Sequence, residues 1–361
     1  MDEKTRAYVT FSHFLGIGPI KFQALIKHFE TVEKAYLASL FTLKEVLGEN
    51  LAHQLIDFKK ELNFKELEIK FKKKNINIIH QENKLFPKNL LDIPDSPICL
   101  YVKGNLYNFI FDQNIISIVG TRMPTSYGEK VTKDIAYSLV GAGFKISSGL
   151  AIGIDSIAHS TCIECGGQTV AFLGCGVDIV YPISNEWLYN LILEKDGLII
   201  SEFPPGMTVL KGLFVARNRL ISAAAKAVIV VEGSEKSGSL ITAKYTVEQG
   251  KEVFAVPGSI TSVMSRAPNL LIREGARPLI SVEELLQDFN IKNSIAISKI
   301  DRSKLNSFEK NVIKYLENGP KNTDEIYKKS KKTLALILQT LTSLEMKGYI
   351  IKSTDGKYSI V

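Results

Sequence analysis

The sequence predicts a doubly wound α/β fold carrying two smaller modules, helical at the N-terminus and winged-helix at the C-terminus. Three observations predict it. Six β-branched runs between Ile115 and Val256 alternate with helix-compatible stretches. Residues 1–72 place apolar side chains at helical spacing and show no strand-like alternation. Residues 304–361 hold three short helical patterns followed by a hairpin signal.

In the first module, Phe22, Leu25, Ile26 and Phe29 recur at the three-to-four spacing of one helix face, as do Leu51, Leu55, Ile56 and Phe58. After Asn75 the texture changes to short apolar runs, first INIIH and PICLYV. Then come IISIV (115–119), FKIS (144–147), TVAFL (169–173), LIIS (198–201), AVIVV (227–231) and EVFAV (252–256). Helical patterns fall between them at Gly128–Val140, Ile154–Cys165, Asn185–Leu193 and Leu240–Gln249. Continuous apolar strands joined by helices mean a parallel sheet covered on both faces. Residues 73–289 are therefore the α/β domain, and the polar residues 290–303 a linker. Beyond it, Phe308–Leu316, Thr323–Lys328 and Thr333–Lys347 read as helices, the last with an apolar stripe at Leu334, Ile337, Leu338, Leu341 and Leu344. Gly348 ends that helix, and Asp355-Gly356 marks a tight hairpin between two short strands. Three helices and a hairpin in residues 304–361 describe a winged helix.

Of the 361 residues, 45% are hydrophobic and 23% charged, which excludes a disordered chain and predicts two or three domains. The longest apolar stretch, Leu220–Val231, is broken by Lys226 and too short to span a bilayer. The opening MDEKTR lacks the basic start and apolar run of a signal peptide. Four cysteines make no disulfide framework. The expectation is a soluble cytoplasmic protein without a membrane span. The net charge is +7, and residues 302–361 set twelve Lys and Arg against six acids, so six of those charges sit in the last module. A basic module on a nearly neutral body suggests an anionic partner, although lysine-rich surfaces also arise for solubility alone.

Several catalytic motifs are incomplete. The loop after AVIVV has strand–loop–helix context and Gly233 and Gly238 five apart, but Ser239 stands where a P-loop needs lysine. Its backbone at Ser237 and Gly238 would still cradle a phosphate at a helix N-terminus. Gly120-Thr121-Arg122 and Gly174-Cys175-Gly176 lack the third glycine of a dinucleotide fingerprint. Asp155 and His159 stand four apart without a nucleophile elbow, which favours a helix-surface pair or a core histidine over a triad. Cys162 and Cys165 form a CxxC inside a helix pattern with no fourth ligand evident, so buried cysteines are expected rather than zinc. Neither cofactor, metal nor catalytic residue is expected, and the body points toward binding.

Three features suggest nucleic acid. Phe14-Leu15-Gly16-Ile17-Gly18-Pro19-Ile20-Lys21 has the glycine turn of a helix-hairpin-helix, or else a tight turn between packed helices. Arg122 follows Gly120-Thr121 at the carboxyl end of a core strand, where α/β folds bind ligands and loop amides with a guanidinium make a phosphate clamp. Lys211, Phe214, Arg217, Asn218 and Arg219 crowd into KGLFVARNR, between SEFPPG and a helix. Cations interleaved with an aromatic suit a single strand, charge for the backbone and a flat face for a base. The competing reading puts Phe214 in the core and the arginines in ion pairs.

These residues resemble the DNA-processing DprA (Smf) family. The resemblance runs through IISIVGTRMPTSYG (115–128), SGLAIGIDSIAH (148–159), FLGCGVDIVYP (172–182), SEFPPG (201–206), FVARNRLIS (214–222), VVEGSEKSGSLITA (230–243) and EQGKEVFAVPG (248–258). It implies an extended Rossmann-like, mostly parallel sheet, flanked by a helix-hairpin-helix/SAM-like module and a winged helix. It implies a single-stranded DNA-binding, non-enzymatic homodimer of natural transformation that protects incoming strands, displaces single-strand binding protein and loads RecA. Arg122 would be the arginine of the strand-binding loop, with Lys211 and Phe214 the strand-binding lysine and base-contacting aromatic. Ile152 stands where many members have arginine, and Ser265-Arg266-Ala267-Pro268-Asn269 replaces a more usual glycine, so Arg266 is a candidate to restore the missing charge. Val215 replaces a common proline, with no effect expected. The alternatives are a nucleoside-monophosphate hydrolase on a similar fold and a duplex-DNA regulator acting through Lys328, Lys329, Lys331 and Lys332.

Overall fold

Six helices precede the first strand: α1 Glu3–His13, α2 Pro19–Phe29, α3 Val32–Leu37, α4 Leu40–Leu47, α5 Glu49–Glu61 and α6 Phe64–Lys73. Four of them start where a short polar residue offers its side chain to an orphan amide. Asp2, Thr31, Ser39 and Asn63 accept from the backbone N–H of Thr5, Lys34, Thr42 and Glu66. The computed structural model describes residues 1–106, 114–289, 305–316, 319, 321–330, 332–347, 349–352 and 356–360. The expected linker 290–303 and Asp355 of the expected hairpin turn lie outside the described residues.

The helices lead into β1 Asn77–His80, α7 Lys88–Leu91 and β2 Cys99–Gly104, then into the alternating body. The body runs β3 Ile115–Val119, α8 Ser126–Gly141, β4 Lys145–Ser148, α9 Ile154–Glu164, β5 Thr169–Phe172, α10 Glu186–Glu194 and β6 Leu198–Ser201. It continues through α11 Lys211–Ala224, β7 Ala227–Val230, α12 Ser239–Glu248, β8 Glu252–Ala255, α13 Arg266–Arg273, β9 Arg277–Pro278 and α14 Val282–Asp288. The nine strands form one sheet in the order β1-β2-β6-β5-β4-β3-β7-β8-β9. β1–β2 and β2–β6 pair antiparallel, and every other pair is parallel. Every residue of β3 to β7 but Lys145 is buried, because helices cover both faces. Alternate residues feed two cores: Ile115, Val119, Val170, Val228 and Val230 on one side, Ile116, Ile118, Ile146, Ile229 and Phe254 on the other.

From β3 the chain winds outward through β4, β5 and β6, then crosses back to place β7, β8 and β9 on the other side. The direction of winding reverses between β3 and β7. In open α/β sheets, the crevice outside the carboxyl ends of the strands at such a reversal is where ligands bind.

The N-terminal helices share a core with the sheet. Phe11, Phe22, Leu25 and Phe71 pack in one cluster with Cys99, Tyr101, Ala171 and Ile199. Tyr101 Oη donates to Ser12 Oγ at 3.0 Å within that contact. Residues Met1–Lys292 accordingly form one compact unit and Asn293–Val361 a second.

The second unit contains α15 Ser307–Leu316, α16 Thr323–Ser330, α17 Leu334–Met346 and the antiparallel strands β10 Ile350–Lys352 and β11 Tyr358–Ile360. Its core gathers Val312, Ile313, Leu316, Ile326, Ile337, Leu341 and Leu344. Buried Glu309 ties the first and third helices of the unit together, accepting from Ser343 Oγ at 3.0 Å and Lys347 Nζ at 2.6 Å. Among the described residues, no helix is long and apolar enough to cross a membrane.

Candidate nucleic-acid interface

A cavity of about 630 Å³ opens at the reversal point between β3 and β7. Gly120, Thr121 and Arg122 line it from the loop after β3, and Ser237 and Gly238 from the loop after β7. Lys211, Phe214, Arg217 and Asn218 line it from α11. Nine of the ten residues singled out from the sequence thus converge on one cavity. The tenth, Arg219, does not line it.

The segment KGLFVARNR is a correction to the expectation of a stretch ahead of a helix: it forms the first turns of α11 itself. This changes what each side chain meets. Lys211, Phe214, Val215, Asn218 and Ile221 recur at three-to-four spacing and share the cavity-facing side. Lys211 is exposed, while Phe214 is half-buried against Tyr181, their ring centroids 5.3 Å apart. Asn218 Nδ2 donates to the carbonyl of Gly238 at 3.4 Å, joining α11 to the loop after β7.

Arg217 and Arg219 are both buried, at 5% and 3% exposure, but into different surroundings. Arg217 Nη1 donates to the carbonyl of Gly149 at 2.7 Å and also to that of Phe172, and its charge sits by buried Asp155. Burial pushes its guanidinium down to about 10, with Asp155 opposing the fall. An arginine remains cationic there at neutral pH. A Cβ on Gly149 would lie 2.6 Å from this guanidinium, so only glycine leaves room for it. Arg219 instead forks onto Glu202, with Nη2 at 2.6 Å from Oε2, and its Nε meets Asp95 at 2.7 Å. Its donors are spent on these carboxylates and on the carbonyls of Ala216 and Asp95, so the structure removes Arg219 from the expected phosphate clamp.

Thr121 needs a second correction. Its N–H donates to the carbonyl of Glu232 at 2.8 Å and so is not free for a phosphate. What the loop presents is the exposed Arg122. Gly153 fixes that loop from beneath: its φ of +83° is a conformation that suits glycine, and a Cβ would lie 2.4 Å from the carbonyl of Thr121. The following residue, Ile154, donates its N–H to the same carbonyl at 3.1 Å. On the other wall the N–H of Ser237 is bonded to the carbonyl of Ser234 at 2.9 Å. Ser237 and Ser239 offer hydroxyls 2.8 Å apart.

Sequence reasoning missed Tyr181 and set Asp155 aside as one of a helix-surface pair, and both also line the cavity. The YP dipeptide before a helix and an acid in SGLAIGID were the available signals. Asp155 is buried, accepts from the N–H of Gly149 at 3.0 Å and balances Arg217; burial raises its carboxyl above the usual range. His159 is a core histidine, with Nδ1 at 2.6 Å from Thr169 Oγ1, and burial pushes it down to about 3. Arg266 does not line the cavity and meets Glu235 at 3.3 Å, so it does not restore a charge beside Ile152. Cys162 and Cys175 are buried and their thiols pushed up to about 12 and 11. Among the described residues no group of His, Cys, Asp and Glu suits a metal ion.

The cavity therefore sets three cations, two of them solvent-facing, and an aromatic pair around one compensated carboxylate. Residues 77–290 match the family model described as DNA recombination-mediator protein A. The chain belongs to this family. Its similarity to the family's Smf protein of a Synechocystis strain is 39% identity over 292 residues, covering 79% of this chain and 73% of that protein. A solved structure of DNA processing protein A from Streptococcus pneumoniae superposes with a TM-score of 0.69 at 30% identity, over 80% of this chain and 98% of that one. A second, from Helicobacter pylori, was described for its single-stranded DNA binding mode; it gives 0.52 at 29% identity over 59% of this chain and 95% of that one. The family's fold is thus the one seen here, and its model spans the strands and loops that build the cavity.

Proposed function

We propose that the chain binds single-stranded DNA in the cavity between β3 and β7 without altering it. The observation that carries this reading is the convergence of Gly120, Thr121, Arg122, Lys211, Phe214, Arg217, Asn218, Ser237 and Gly238 on one crevice. Arg122 and Lys211 grip phosphates at its mouth, and Phe214, backed by Tyr181, stacks on a base. Arg217 works from inside: it holds the Gly149 loop and lends positive potential. A half-exposed aromatic accepts any base face, whereas a duplex keeps its bases stacked and unavailable.

In natural transformation this binding protects incoming strands, displaces single-strand binding protein and loads RecA, with the chain acting as a cytoplasmic homodimer. Residues 73–289 carry the strand, residues 1–72 form a helix-hairpin-helix/SAM-like module, and residues 304–361 form a winged helix joined by the linker 290–303. The test is a salt-titrated shift assay with single- and double-stranded oligonucleotides. Binding should favour the single strand and weaken with salt, with a slope of about −0.7 per phosphate neutralised. Equal affinity of Arg122→Ala and the unmodified chain for an oligothymidylate, at matched salt, removes the site. Release of base or phosphate from a mononucleotide replaces this reading with a hydrolase.

A further inference from the structure

Helix α17 holds the position of a recognition helix, but its side chains do not suit a DNA groove. From Leu334 to Met346 it has no Lys, Arg or Asn, and Gln339 is its one amide side chain. Base edges are read by such donors and acceptors, and offer apolar contact mainly through the thymine methyl. Ile337, Leu341 and Leu344 fill the core of the unit, at 1% exposure or less. Leu334, Leu336 and Leu338 remain 49%, 38% and 44% exposed. Leu334 and Leu338, four residues apart, lie on one side of the helix.

The neighbouring surface is basic. Lys328 and Lys329 close α16 and Lys332 leads into α17, all exposed, with the half-exposed Tyr327 beside them. Asp324 and Glu325 stand one turn before Lys328 and Lys329 on α16 and Glu345 lies in the last turn of α17, but among the described residues no ion pair joins any of them to these lysines. Apolar side chains next to exposed cations ask for a partner that is itself apolar and acidic.

We propose that this face of the second unit docks an acidic peptide bearing apolar side chains. The exposed leucines bury the partner's apolar residues, while Lys328, Lys329 and Lys332 meet its carboxylates. Charge complementarity selects this occupant: a second copy would set lysine against lysine, and duplex DNA would leave the leucines unused. The proposal stands independently of the cavity in the first unit.

The test uses the full chain and a fluorescein-labelled dodecapeptide in which Asp alternates with Leu and Phe, followed by anisotropy. The chain should bind it, and a peptide with Ser in place of Leu and Phe should not bind. The double variants Leu334→Ser/Leu338→Ser and Lys328→Glu/Lys332→Glu should each weaken binding at least tenfold, with unchanged circular dichroism and, for the leucine variant, unchanged oligothymidylate affinity. Absence of peptide binding overturns the proposal. So does a 20-base-pair duplex whose binding is lost in the lysine variant and kept in the leucine variant. Self-association on sedimentation that disappears in the leucine variant overturns it in favour of a second copy.

Discussion

The two units distribute charge in opposite ways. Residues 302–361 carry six of the seven net positive charges, and still α17 there carries no cation and exposes Leu334, Leu336 and Leu338. The first 301 residues are nearly neutral, with a net charge of +1, and still they bring Arg122, Lys211 and Arg217 around one crevice. Net charge sets the long-range field of a unit, whereas recognition depends on which charges the fold brings together and how far it desolvates them. Within α11 the contrast sharpens further. Arg217 and Arg219 are two residues apart and equally buried, but one belongs to the cavity and the other to an ion-pair cluster with Glu202 and Asp95.

The largest effects should come from breaking those buried arginines. Arg219→Ala strands Glu202 without its partner and should cost about 3–5 kcal/mol in urea unfolding. Its affinity for oligothymidylate, measured where the variant is folded, should stay within twofold of the unmodified chain. A tenfold loss of affinity in folded Arg219→Ala would put this side chain back into the strand-binding clamp.

Acid should act next, through the stability of the fold. Burial pushes His159 down to about 3 and His13 to about 4, so both stay neutral in the folded chain while the unfolded chain takes up protons below about 6.5. Stability is full above about pH 6.5 and falls with pH, by about 1.4 kcal/mol per unit for each histidine, down to the folded values. His159→Gln should flatten the slope of the urea midpoint against pH between 6.5 and 4; an unchanged slope would mean that His159 is accessible to protons.

Phe214→Ala should weaken oligothymidylate binding by about 1–3 kcal/mol and leave the salt slope unaltered, since stacking displaces no counterions. Lys211→Ala should give the smallest change, lowering the slope by about 0.7 with little loss of affinity at high salt. If Phe214→Ala alters the slope and Lys211→Ala does not, the division of labour drawn between them is reversed.

Much of this was legible in the chain. The six β-branched runs became β3 to β8, because a strand covered on both faces must be apolar throughout. Helix starts shifted by only a residue or two, as at Ser126 against Gly128, where Thr125 supplies the cap. KGLFVARNR was harder, because its interleaved charges placed it ahead of a helix while Lys211, Phe214, Val215 and Asn218 already carried the helical period that would have assigned it. Thr121 illustrates a different limit: nothing local shows that the carbonyl of Glu232, 111 positions later, takes its amide.

The sequence by itself determined the alternating sheet, the helical N-terminal module, the basic tail and nine of the residues that line the cavity. Those follow from periodicity and side-chain chemistry, which are local. Only the tertiary structure decided that segments from Gly120 to Gly238 meet at the reversal of winding, and which arginine faces the crevice. Neighbours two apart on a helix point about 200° apart, and what lies in each direction is set by strand order and packing across the whole unit.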